Sequence, residues 1–169
     1  MILRHLNEKK KMSIEHRMIG ELIGMSYIGK RIFISGFPGA NNIQLLKKNN
    51  IVGVVTCARE LQPKHYPNIA YHFLDLRDRS TERLVDHLFK TIPFIDKHIK
   101  HGNILIHCAM GKSRSVSVAM AYLILRHDLS YQNSSKLIKR ARCIAGPNRG
   151  FRKQLKSLKQ EIVRRGGIS

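Results

Sequence analysis

The chain has 169 residues, enough for one complete hydrophobic core and too few for two ordinary domains. Hydrophobic residues make up 43%, which fits a globular protein, and no apolar run approaches the roughly 18 residues that cross a membrane. The three cysteines show no paired Cys-x2-Cys spacing and the nine histidines no zinc spacing, so neither a disulfide framework nor a metal centre is expected. Residues 1–25, with Lys9-Lys10-Lys11 and several methionines, read as a basic arm or a docked helix. A domain over 26–165 and a short tail over 166–169 follow. In chain order the pattern predicts a strand over 31–35, a turn at Gly36-Phe37-Pro38-Gly39, a helix over 41–48, and strands over 51–57 and 69–74. A long helix over 81–99 carries Leu84, Leu88, Ile92, Ile95 and Ile99 at helical spacing. A strand around Ile104 and helices over 115–126, 131–142 and 148–164 complete the chain. Such alternation predicts an α/β fold: a central, mostly parallel sheet of four to five strands flanked by helices. Ligands of open α/β sheets bind at the carboxyl ends of the strands.

The segment that carries chemistry is His107-Cys108-Ala109-Met110-Gly111-Lys112-Ser113-Arg114-Ser115. It follows the apolar Asn103-Ile104-Leu105-Ile106 and leads into the apolar helix that begins near Ser115. Cys108 therefore stands where a buried strand ends and a buried helix begins. The N–H groups and dipole of a helix start cradle anions and favour the thiolate of a cysteine placed there. Gly111 permits a tight loop whose successive N–H groups point inward. Arg114 adds a planar fork of donors matched to a phosphate dianion. A nucleophile and a phosphate clamp on one loop point to phosphatase chemistry. Spacing alone is weak evidence, because Cys143-Ile144-Ala145-Gly146-Pro147-Asn148-Arg149 repeats Cys-x5-Arg. That copy follows a basic helical stretch instead of a strand, and Pro147 removes a backbone donor. Cys143 is read as a small apolar residue near a helix end.

His-Cys-x2-Gly-x-Ser-Arg-Ser resembles the signature loop of the dual-specificity branch of the cysteine-dependent protein phosphatases. The resemblance runs from about Lys30 to Leu158 and includes Ala121-Tyr122-Leu123, Pro147-Asn148, Phe151, Gln154 and Leu155. It implies the protein tyrosine phosphatase-like fold and hydrolysis of phosphotyrosine and phosphoserine or phosphothreonine through a phosphocysteine intermediate, with no cofactor or metal. In that mechanism Cys108 attacks phosphorus and Arg114 holds the phosphoryl oxygens. Ser115 hydrogen-bonds the departing thiolate, and His107 orients the loop formed by Ala109, Met110, Gly111, Lys112 and Ser113. The leaving oxygen needs a proton donor, which the family supplies from a loop about thirty residues upstream. Asp75 continues an apolar run and reads as a strand end. Asp78 lies in a polar loop, seven residues after Tyr71, and matches the family pattern. Its neighbours Arg77 and Arg79 are a departure, since cations there favour the carboxylate.

Net charge +20 is large for this size, with lysines and arginines concentrated over 136–165, Arg142 among them. Such a surface attracts polyanions: acidic phosphoprotein substrates, nucleic acid or anionic lipid. A solvated charged face without a dedicated partner is the alternative. An RNA 5′-triphosphatase, a phosphoinositide phosphatase, a phosphate-binding module and a sulfurtransferase-like loop remain as other functions. A thiolate nucleophile predicts a reducing compartment, cytoplasmic or nuclear, for a chain with no signal-peptide pattern.

Overall fold

The structure, a computed structural model, describes residues 20, 21 and 23–168. Five strands form one sheet in the order β1-β2-β5-β3-β4. They are β1 (Met25–Tyr27), β2 (Ile32–Ser35), β3 (Ile51–Cys57), β4 (Ala70–Leu74) and β5 (Asn103–His107). Only β1 runs antiparallel, against β2; the other pairings are parallel. This is the mostly parallel α/β sheet that the alternation predicts.

The pleat sorts each strand's side chains onto two faces. Ile32, Ile34, Val55, Ile104 and Ile106 enter one apolar cluster with the long helices. Phe33, Val54 and Leu105 enter the other, with Leu46 and Ala40. Strand β5 is buried on both faces, which explains its unbroken apolar run. The smaller face is covered by α1 (Phe37–Ala40) and α2 (Ile43–Lys48); α1 occupies the expected Gly-Phe-Pro-Gly turn, with proline in its first turn. The larger face is covered by α3 (Leu84–His98) and α4 (Arg114–Arg126), and α5 (Tyr131–Ala141), α6 (Arg149–Lys156) and α7 (Leu158–Arg164) pack on these two helices. Every residue of α4 from Arg114 to Ile124 is buried, so it is a core helix rather than an amphipathic one.

Several boundaries differ from the sequence reading. Helix α3 begins at Leu84, three residues after the expected start, because Leu84 and Val85 are its first buried positions while residues 75–83 form a loop. The single helix expected over 148–164 is two, broken at Ser157, whose hydroxyl lies 3.5 Å from the Lys153 carbonyl and competes for it. Within the segment read as an arm, Glu21 is buried and Met25 opens β1; residues 1–19 and 22 lie outside the described residues. No helix among the described residues is long and apolar enough to cross a membrane.

Candidate active site

Strand β5 delivers Cys108 to the carboxyl edge of the sheet, and α4 starts six residues later, as the strand-loop-helix reading requires. The five carbonyls between them are all engaged from outside the loop. Ala109 O accepts from Phe37 N at 2.9 Å and Lys112 O from Gly146 N at 2.8 Å. Met110 O and Gly111 O accept from Arg142 Nη2 and Nε at 2.8 and 2.6 Å. Ser113 O accepts from Ser117 N and Oγ at 2.9 and 2.7 Å. With the carbonyls turned outward, the N–H groups of 109–113 line the inside of the loop, and among the described residues none donates a hydrogen bond. Successive backbone donors at a helix start form a nest of the kind that can cradle an anion. Gly111 sits at φ 64°, and a Cβ there would come within 2.5 Å of both Arg142 Nη2 and the Ser35 carbonyl. Backbone conformation and space both require glycine.

Cys108 is almost fully buried at the floor of this nest, its Sγ 3.2 Å from Ser115 Oγ. Cys57 ends β3, one step past the Thr56–His107 register pair, and so lies beside Cys108. Burial, then the charge of Cys108, pushes the Cys57 thiol well above its ordinary range, which keeps it protonated. Arg114 is buried and grips Glu60 with both terminal nitrogens: Nη1 to Oε2 at 2.8 Å and Nη2 to Oε1 at 2.6 Å. Nη1 also reaches the Leu76 carbonyl at 3.3 Å. The hydrogen bonds from Arg114 hold the Glu60 carboxyl below the usual range. This clamp keeps the guanidinium plane at the loop.

Asp78 comes to the same place from the loop after β4. Its Oδ1 accepts from Ser113 Oγ at 2.7 Å and from Asn148 Nδ2 at 2.8 Å. Asp75, the other upstream carboxylate, directly follows β4 and pairs at the surface with Arg59 at 3.3 Å. A cavity of about 450 Å³ is lined by Arg59, Glu60, Arg77, Asp78, Arg79 and Arg114. Cys143 is exposed after the end of α5, with its N–H on Glu21, and no strand precedes it.

Arg142 corrects the view of the 136–165 stretch as surface charge. It is fully buried and supports the nest from behind. Besides the Met110 and Gly111 carbonyls it donates to Glu21 O at 2.6 Å and Ser26 Oγ at 3.2 Å. Nothing in the sequence separated it from its exposed basic neighbours, nor marked Glu60 as the partner of Arg114.

His107 is fully buried, with Nε2 2.8 Å from Thr56 Oγ1 on the neighbouring strand. Burial lowers its pKa from 6.5 to about 4, so the ring is neutral in the folded protein. The unfolded chain takes up this proton near pH 6.5, whereas the folded one resists it until about pH 4. The resulting stability is complete above pH 6.5 and lost as pH falls toward 4, about 3 kcal/mol in all. Urea unfolding at pH 7 and pH 4.5 should show His107→Asn losing less stability on acidification than the wild type. Equal losses would mean that the ring does not resist protonation.

A nest of backbone donors around a cysteine, an arginine and a nearby carboxylate have counterparts in known proteins. The family model described as "Dual specificity phosphatase, catalytic domain" matches residues 32–161. Dual specificity protein phosphatase 1B of Arabidopsis thaliana is 35% identical over 139 residues, covering 82% of this chain and 83% of the relative. Human dual specificity protein phosphatase 18 is 35% identical over 133 residues, 78% of this chain and 71% of the relative. Among solved structures, a mouse putative dual specificity phosphatase complexed with zinc tungstate superposes with a TM-score of 0.79 at 27% identity. It covers 85% of this chain and 91% of that one. Because the family match over residues 32–161 takes in the four parallel strands, the nest and the helices behind it, the chain belongs to the dual-specificity protein phosphatases, whose reaction passes through a phosphocysteine.

Proposed function

We propose that Cys108 Sγ attacks the phosphorus of a phosphorylated side chain bound in the 108–114 nest. As the S–P bond forms and the P–O bond to the leaving oxygen breaks, Asp78 passes its proton to that oxygen. Arg114 and the N–H groups of 109–113 hold the three remaining phosphoryl oxygens, where charge concentrates in the transition state. Water then attacks phosphorus and gives a proton to the Asp78 carboxylate. The S–P bond breaks, and the Ser115 hydroxyl donates to the departing thiolate. The observation that carries this reading is the outward engagement of every carbonyl from Ala109 to Ser113 around a cysteine 3.2 Å from Ser115. No step requires a metal or cofactor.

The substrates are phosphoproteins, and we propose that acidic ones are preferred. Arg59, Arg77 and Arg79 line the cavity that opens onto Arg114, and Lys136, Lys139 and Arg140 expose further positive charge on α5. Steering by such a surface raises encounter rates and weakens with salt. A thiolate mechanism also suits a reducing cytoplasmic or nuclear setting. A panel of phosphotyrosine, phosphoserine and phosphothreonine peptides, run beside triphosphorylated RNA and inositol lipids, tests the assignment. Phosphate release from the peptides should dominate, be unaffected by a chelator, and fall with salt most steeply for acidic peptides. Release from RNA or lipid alone would replace the protein-substrate reading.

A further inference from the structure

The segment Pro147-Asn148-Arg149-Gly150-Phe151-Arg152-Lys153-Gln154 supplies no group to the nucleophile, yet its side chains converge on the loop that carries Asp78. Asn148 caps α6, its Oδ1 accepting from Phe151 N at 2.9 Å, while its Nδ2 donates to Asp78 Oδ1 at 2.8 Å. Its backbone N–H donates to Ser113 Oγ at 3.1 Å, and that hydroxyl donates in turn to the same Asp78 oxygen at 2.7 Å. Two residues on, Gly150 packs so tightly under the loop that a Cβ would come within 1.8 Å of the Ser80 carbonyl. One helical turn further, Gln154 Nε2 donates to Glu82 O and its Oε1 accepts from Leu84 N, both at 2.8 Å. The first turns of α6 thus hold the loop at residues 78, 80, 82 and 84.

We infer that Asn148 is a positioning residue for the proton donor, acting through Asp78 with Ser113. The inference rests on the reading of Asp78 as the acid. Both donated hydrogen bonds fall on Oδ1, and in a neutral carboxyl group the oxygen that accepts donors is the carbonyl one. The network therefore assigns the transferable proton to Oδ2. It also fixes the side-chain rotation, so that Oδ2 is presented to the leaving oxygen. As the P–O bond breaks the proton moves from Oδ2 to that oxygen, and the carboxylate left behind keeps two donors that stabilise its charge. Nearby cations do not replace this arrangement, because Arg77 and Arg79 supply charge without fixing the carboxyl plane.

The test separates this role from the helix cap. Asn148→Ser keeps a good N-cap acceptor and removes the N–H donor to Asp78. With a phosphotyrosine peptide, kcat should fall about 10–100-fold, the scale of one hydrogen bond to a charged group. With p-nitrophenyl phosphate, whose leaving group is stable unprotonated, the fall should be under about threefold, with KM and thermal midpoint nearly unchanged. In an Asp78→Asn background, Asn148→Ser should cost nothing further, since both changes disable one device. Equal losses on the two substrates, an additive loss in the double variant, or no loss at all would overturn the inference. The reading of Asp78 itself fails separately, if Asp78→Asn alone shows no dependence on the leaving group.

Discussion

Cys108→Ser is expected to abolish turnover, with kcat lower by about 10⁴–10⁶-fold, while phosphopeptide binding stays within a few fold of wild type. A serine hydroxyl in the same place lacks a thiolate's nucleophilicity, and among the described residues the hydrogen-bond partner of Sγ is Ser115 Oγ, a hydroxyl that is no base. Binding survives because the nest and the Arg114 fork are built by other residues, chiefly Arg142, Glu60 and the start of α4. The control is Cys143→Ser. That cysteine is exposed beyond α5, away from any strand end, and its replacement should leave kcat/KM within about twofold, the usual range for surface changes. A stopped assay of phosphate release beside a fluorescence binding isotherm gives both quantities. Retained turnover in Cys108→Ser, or a comparable loss in Cys143→Ser, would move the nucleophile elsewhere.

Arg114→Lys should lower kcat/KM by about 10²–10⁴-fold, with losses in both kcat and affinity. Arg114 uses one edge, Nη1 and Nη2, on Glu60, while its Nε, buried without a partner among the described residues, leaves a second edge of the planar guanidinium for two phosphoryl oxygens. An ammonium offers one point of charge and cannot span both. The substitution also leaves Glu60 without its bidentate partner, which loosens the clamp that holds the cation at the loop. Conservation of charge without conservation of shape should therefore rescue little, and lysine should do scarcely better than alanine in steady-state kinetics across a range of phosphopeptide concentrations. Full activity in the lysine variant would mean that the phosphate is held by other groups.

Much of this was legible in the sequence because it rests on local patterns. Strand β3 follows the expected bounds, since an apolar run between Asn50 and the polar residues after Cys57 leaves few alternatives. The choice between the two Cys-x5-Arg segments was also local, a strand before Cys108 and a helix before Cys143. The supports of the site were not legible. Glu60 meets Arg114 across 54 residues, and Arg142 meets Gly111 across 31, with no periodicity linking either pair. Arg142 is hidden by composition, one buried arginine in a run of exposed ones. Asn148 and Gln154 were recognisable only through resemblance, because their partners are backbone groups and a carboxylate on a distant loop.

Trapping the covalent intermediate tests the central claim most directly. Wild-type protein and the Ser115→Ala variant are mixed with a phosphotyrosine peptide, denatured within the first turnover, digested and mapped by mass spectrometry. The phosphoryl group should lie on the Cys108 sulfur, and its yield should be higher in Ser115→Ala, where release of the thiolate is slowed. A phosphoryl group found on another residue, or product formed with no phosphocysteine at any time, would contradict the account.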